Sequence, residues 1–185
     1  LIATMAELRR CQREINLPVQ AGSDNLLKIM RRGYTVARYR DLIGKIRAAM
    51  PDIALTTDII VGHPGETRAD FAATEALLDE IGFDKVHIAA YSARPGTRAG
   101  AMEQDPALAV PEDEKQARRA ELEQQQEGIA TARNAALLGA TAEVLVEGEH
   151  RGKWRGRTAG NKLVFFADAA DWTGRLARVR VTQTG

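Results

Sequence analysis

At 185 residues the chain is long enough to bury a sizeable core and to hold one domain or one and a half. Its 26 basic residues stand against 25 acidic ones, so any contact with nucleic acid must come from a local patch rather than from bulk charge. The single cysteine, Cys11, excludes an internal disulfide and any all-cysteine metal or iron–sulfur site built from this chain alone, and no apolar run is long enough to span a bilayer.

The chain opens on Leu1 rather than on a methionine, without the basic-then-apolar pattern of a signal peptide. The expectation is a cytoplasmic protein of which this is a piece. A helical start over 1–11 is followed by a short strand over 14–20, in which Ile15, Leu17 and Val19 alternate with Asn16, Pro18 and Gln20. Ser23 is placed to cap a helix carrying Leu26, Leu27, Ile29 and Met30, closed by Arg31, Arg32 and Gly33; the two arginines suit the end of the helix dipole. Thr35 caps a further helix, with Tyr39, Leu42, Ile43 and Ile46 at helical spacing, until Pro51 forbids continuation.

The strand over 53–61 alternates as well, with Leu55, Thr57, Ile59 and Val61 on one side and Ala54, Thr56, Asp58 and Ile60 on the other. An acid in such a strand must be paired, or must face something polar inside the fold. The strand ends in a turn of Gly62, His63, Pro64, Gly65 and Glu66, and Thr67 then caps a helix whose Phe71, Thr74, Leu77, Leu78 and Ile81 form one stripe before Gly82. A third strand over 85–91 sets His87, Ala89 and Tyr91 against Val86, Ile88 and Ala90, and runs into the turn formers of Ser92-Ala93-Arg94-Pro95-Gly96-Thr97.

Strands alternating with helices imply a parallel sheet with right-handed crossovers, and ligands in such folds sit beyond the carboxyl ends of the strands. The polar positions Asn16, Gln20, Thr56, Asp58, His87 and Tyr91 would then converge on one cavity. The expected class is α/β, the later half of a partial (β/α) barrel. From Pro111 a long polar helix runs to about Leu138 with a thin stripe of Ala117, Ala120, Leu122, Ile129, Ala132 and Ala136. Beyond it, strands over 142–146, 155–158, 163–166 and 175–181 predict a small all-β barrel, giving domains of 1–138 and 139–185. Around Trp154, the basic residues Arg151, Lys153, Arg155, Arg157 and Lys162 have the character of a surface that grips phosphates and stacks on a base.

Four motifs, Leu17-Pro18-Val19-Gln20-Ala21-Gly22-Ser23-Asp24, Met30-Arg31-Arg32-Gly33-Tyr34-Thr35, the run from Thr57 to Thr67, and Tyr91-Ser92-Ala93-Arg94-Pro95-Gly96-Thr97, occur in the order and spacing of the radical S-adenosylmethionine methylthiotransferases. The chain resembles that family nearly throughout, and 139–185 resembles its TRAM domain, here short of a final strand. The resemblance implies a C-terminal fragment of a tRNA-modifying enzyme that places a methylthio group on C2 of N6-dimethylallyladenosine beside the anticodon. It implies S-adenosylmethionine and two [4Fe–4S] clusters as cofactors. The cluster cysteines are missing here, so the fragment is expected to be inactive by itself, with neither catalytic nor metal-binding residues of its own. Sister enzymes acting on threonylcarbamoyladenosine or a ribosomal protein, and a non-catalytic RNA-binding module, are the alternatives.

Carried over by motif, Gln20 and Ser23 are expected near the ribose or methionine part of the cofactor, with Asp58, Gly62 and Glu66 at its adenosine side or the substrate. Arg94 is expected at the mouth, and Lys153, Trp154 and Arg155 on tRNA. The expected protein is a monomer with no membrane association; its electron donor and sulfur source are left open. Three positions depart from the family pattern: Ala21 where Ser is frequent, His63 where Phe is usual and Ala93 where Pro is usual. A substituted loop histidine is read as packing rather than acid–base chemistry.

Overall fold

The computed structural model describes residues 1–8 and 11–185, and residues 9 and 10 of the predicted first helix lie outside the described residues. In chain order the elements are α1 (Ile2–Glu7), β1 (Glu14–Asn16), α2 (Asp24–Ile29), α3 (Val36–Ala49), β2 (Ala54–Val61), α4 (Arg68–Ile81), β3 (Lys85–Ala90), α5 (Arg98–Met102) and α6 (Glu112–Ala135). They are followed by β4 (Thr141–His150), β5 (Lys153–Thr158), β6 (Leu163–Phe166) and β7 (Leu176–Arg180). One sheet has the order β1-β2-β3 and the other the order β6-β5-β4-β7.

The chain divides into two compact units that do not follow its linear order. One comprises Asn16–Lys45 and Leu55–Ala130, the other Leu1–Ile15, Ile46–Ala54 and Thr131–Gly185. In the first, β2 and β3 are parallel, and the alternation read from the sequence is realised in part. Leu55, Thr57, Ile59 and Val61 are buried; on the other side Ala54 and Thr56 are buried as well, and only Asp58 and Ile60, toward the carboxyl end, are half-exposed. The stripe of α4 is buried as expected, with Phe71, Leu77 and Leu78 fully enclosed; each such side chain contributes about 1.5–3 kcal/mol by leaving water. Thr67 opens α4 with a reciprocal capping box to Asp70, and Gly82 closes it in the left-handed conformation.

The first strand is shorter than predicted, because Pro18 has no N–H to give to a ladder. Leu17 N–H still donates to Thr56 O at 2.9 Å, but from there the Thr57 hydroxyl stands in for the backbone, donating to Leu17 O at 2.8 Å and accepting from Val19 N–H at 3.0 Å. Pairing resumes at Gln20, whose N–H donates to Asp58 O and whose carbonyl accepts from Ile60 N–H. Gln20 takes φ +71°, a left-handed conformation uncommon for a residue with a Cβ.

Helix α6 departs most from expectation. Ala117, Ala120, Ala132 and Ala136 are exposed, and the buried positions are Lys115, Arg118, Leu122 and Gln126. Lys115 and Arg118 pair with carboxylates, and Gln126 donates to Phe83 O at 3.1 Å while its Oε1 has no partner among the described residues.

In the second unit the four antiparallel strands enclose Val146, Trp154 and Ala177, with Phe166, Trp172 and Val179 packed on them. Gly156 is required where it stands, since a Cβ there would lie 2.3 Å from Leu145 O. A bulge between Val146 and Gly148 shifts the register of β4 against β5. Segments from early in the chain join this unit through Arg13, whose N–H donates to Ala159 O at 2.9 Å and whose carbonyl accepts from Ala54 N–H at 2.8 Å.

Candidate cofactor pocket and nucleic-acid face

The carboxyl ends of β2 and β3 carry the first candidate site. The parallel register pairs Asp58 with His87 and Ile60 with Ala89, so these side chains share the face opposite the helix-packed core. Asp58 is half-exposed, and among the described residues its carboxylate receives no hydrogen bond. Its oxygens stand on the half-exposed face of the sheet as acceptors suited to hydroxyl or amino groups of a ligand. Asn16 accepts from the Thr56 hydroxyl at 3.1 Å.

The turn after β2 is held from within. Gly62 N–H donates to Glu66 Oε2 at 2.6 Å, and the same oxygen accepts from Arg118 at 2.7 Å, with side-chain exposures of 1% for Glu66 and 7% for Arg118. Burial pushes the Glu66 carboxyl up, while the Gly62 N–H and the Arg118 guanidinium pull it back. Gly62 has φ +71°, and a Cβ there would come within 2.2 Å of Lys115 Cγ, so glycine is needed both for the turn and for the lysine stem packed on it. The Lys115 ammonium reaches Glu103 at 2.5 Å and stands 5.5 Å from the centre of the Tyr91 ring. His63 is buried, packs edge-on against Tyr91 at 5.1 Å and lies 2.9 Å from Pro64 O through Nδ1. Burial pushes its pKa below the ordinary value, and the ring serves to pack the turn.

Ser23 is similarly engaged. Its hydroxyl accepts from Leu26 N–H at the start of α2 and donates to Asp70 Oδ1, while Asn25 reaches Asp70 Oδ2 at 3.2 Å. Gly22 N–H donates to the Thr74 hydroxyl at 2.9 Å, and Asp24 accepts from Val36 N–H at 2.7 Å to open α3. The segment therefore clamps loop 21–25 onto α4, and its side chains shape the pocket rather than present free polar groups. Burial of Asp70 raises its carboxyl, but the bonds from Ser23, Thr67 and Asn25 outweigh that and hold it below the usual carboxylate range. Because the folded pKa is depressed, this stabilisation is fully present above the unfolded value of about 3.9 and is lost as pH falls through the folded value. The expected result is that Asp70→Asn destabilises at neutral pH and that its deficit against the parent shrinks in urea melts below about pH 4. A deficit independent of pH would contradict the role given to Asp70.

Arg94 lies exposed in the loop after β3, where residues 93–98, 100, 101 and 104 line an open cavity of about 660 Å³. Its carbonyl accepts from the Thr97 hydroxyl at 2.8 Å, and Thr97 caps the short helix α5.

In the second unit, Lys153 and Arg155 project from β5 on the side away from the core, with Lys153 exposed and Arg155 half-exposed. Trp154 between them points inward: it is 9% exposed, belongs to the core and donates its indole N–H to Asp168 O at 3.1 Å. A base stacked on this ring, as the sequence suggested, would find it already enclosed. The outward face instead carries Lys153, Arg155, Arg157, Arg178 and Arg180 against Glu143 and Glu147. Arg157 approaches Glu147 at 3.2 Å; Arg155 Nε is at 3.7 Å, beyond a hydrogen bond.

Comparison with known proteins accounts for both parts. Residues 1–78 match the radical SAM superfamily and residues 135–184 match the TRAM domain. The chain is therefore a radical SAM segment joined to a TRAM domain. It is 72% identical over 185 residues to tRNA-2-methylthio-N(6)-dimethylallyladenosine synthase of Roseiflexus sp. (strain RS-1), covering 100% of this chain and 39% of that protein. The proteins of the same description from Chloroflexus aurantiacus and Herpetosiphon aurantiacus are 70% and 58% identical over 184 residues, covering 100% of this chain and 40% and 42% of their own lengths. The chain is thus similar over its whole length to proteins of this description, and it spans about two fifths of the length of the relatives it matches.

The superfamily uses S-adenosylmethionine and a [4Fe–4S] cluster. The residues present do not fit a cluster: the sequence has one cysteine, and among the described residues no group of three or more histidine, cysteine, aspartate or glutamate side chains is placed to hold a metal ion. The half-exposed Asp58 carboxyl has oxygens of the kind that accept from nucleotide hydroxyl or amino groups. Among the described residues no helix is long and apolar enough to cross a membrane.

Proposed function

We propose that this segment supplies one wall of the cofactor pocket, and a tRNA-gripping domain, for an enzyme that methylthiolates C2 of N6-dimethylallyladenosine in tRNA. End-to-end similarity to synthases of that description carries the reading. S-adenosylmethionine would provide the radical and the methyl group, and two [4Fe–4S] clusters would be ligated outside these residues. Asp58 accepts from the nucleotide, Gln20 offers its side chain where its backbone pairs with β2, and Ser23, Gly62 and Glu66 fix the surrounding loops. Arg94 stands at the mouth of the pocket for substrate phosphate. Lys153 and Arg155 grip tRNA, with Trp154 as the internal support that holds them outward. Residues 1–138 and 139–185 act as the cofactor and tRNA domains of a cytoplasmic monomer. Without the cluster ligands the segment by itself performs no turnover.

In a complete synthase carrying this segment, Asp58→Ala should reduce reductive S-adenosylmethionine cleavage by about ten- to a hundredfold, the loss of one or two charge-assisted hydrogen bonds, while tRNA affinity stays near that of the parent. An unchanged cleavage rate would remove Asp58 from the pocket.

A further inference from the structure

The outward face of the TRAM sheet carries apolar side chains that the core does not use. The registers align Leu163, Arg157, Leu145 and Leu176 in one row across all four strands, and Phe165 beside Arg155 in the next. Leu145, Leu163, Phe165 and Leu176 are 46–58% exposed, although they lie in the interiors or at the ends of regular strands. At about 4.8 Å between strands the row is roughly 14 Å across. Five cations and two carboxylates share this face, so it suits a polyanion, and the apolar row suits something with flat apolar surfaces. A duplex presents phosphates but hides its base faces; an unpaired strand presents both.

We infer that this face is a stacking platform for unpaired nucleotides, with Phe165 taking a base and Arg155 and Arg157 the neighbouring phosphates. The inference rests on the tRNA-binding reading above and narrows it to single-stranded RNA, such as a loop. It also moves the stacking role from Trp154 to Phe165. His150, whose ring lies 6.0 Å from that of Phe165, borders the same spot.

The test is fluorescence anisotropy of the 185-residue chain with a short labelled unpaired RNA and with a fully paired hairpin of the same composition. The unpaired strand should bind more tightly than the hairpin. Phe165→Leu keeps the apolar bulk but removes the ring, and should weaken binding to the unpaired strand about tenfold with an unchanged salt slope; Phe165→Trp should restore it. Arg155→Ala should flatten the log–log salt slope by about one unit. If Arg155→Ala weakens binding but Phe165→Leu does not, or if the hairpin binds as tightly as the strand, the platform is refuted while RNA binding stands. If the chain binds RNA but neither substitution matters, this face is not the binding site and the platform is refuted; if the chain binds no RNA, both readings fall. Sedimentation showing a dimer that Phe165→Leu dissolves would assign the face to a second copy instead and overturn the inference.

Discussion

Replacing Arg118 by methionine should cost the first unit about 3–5 kcal/mol, seen as a large downward shift of its urea midpoint at neutral pH. Methionine matches much of the apolar volume, so the loss is electrostatic. With side-chain exposures of 1% for Glu66 and 7% for Arg118, neither charge has water to fall back on. Without the guanidinium, Glu66 keeps the Gly62 N–H and little else to offset its burial. The carboxyl, already pushed up in the parent, should rise further. A raised folded pKa means stability that is present at low pH and lost as pH increases through that value, so the deficit of Arg118→Met should narrow as pH is lowered from neutral toward the ordinary carboxylate range. The double variant Glu66→Gln, Arg118→Met should recover part of the loss, because it leaves no unpaired charge. A single variant as stable as the parent would show that the pair does not hold the turn.

Gly22→Ala should be the other severe change, at about 2–4 kcal/mol from overpacking together with loss of one buried hydrogen bond. The added Cβ would lie 2.5 Å from both Ala73 O and Thr74 Cα. Those are backbone atoms of α4, so no side chain can rotate aside, and the loop must lift and stretch the bond from Gly22 N–H to the Thr74 hydroxyl. Gly44→Ala provides the contrast: it lies within α3 with nothing within 4 Å of its Cβ position, and alanine there should stabilise by about 0.5–1 kcal/mol. Thermal melts of the two variants should move in opposite directions; equal shifts would argue against close packing of the loop on α4.

Much of the pocket's frame was legible in the sequence, because it is written in local chemistry. Thr67 and Gly82 mark the limits of α4, and the alternation along 57–61 separates the buried Thr57, Ile59 and Val61 from Asp58 and Ile60. What escaped was set by distant partners. Lys115, Arg118 and Gln126 look like a solvated helix face until Glu103, Glu66 and Phe83 O are brought to them. The alanines taken for the inner stripe of α6 are small enough to be neutral on either side. The kink at Gln20 depends on the Thr57 hydroxyl, 38 residues from the Val19 N–H it accepts. In the TRAM domain, aromatics occur on both sides of the sheet, and period-two patterning alone does not say whether Trp154 or Phe165 faces inward; packing of Trp154 with Val146 and Ala177 decides it.

The insertion of α6 side chains under the turn after β2 has a consequence for how this protein can be divided. Glu66 and Arg118 are 52 residues apart, so the geometry of the turn is completed only after the sheet, α5 and the start of α6 have all been made. A truncation placed in the loop before α6, which by strand count alone is an attractive boundary, would leave a buried acid without its counter-ion and an open slot where the Lys115 stem lies over Gly62. The structural end of the first unit is therefore well inside α6. Any minimal version, or any exchange of TRAM domains between relatives, should keep residues through at least Gln126 with the pocket they complete.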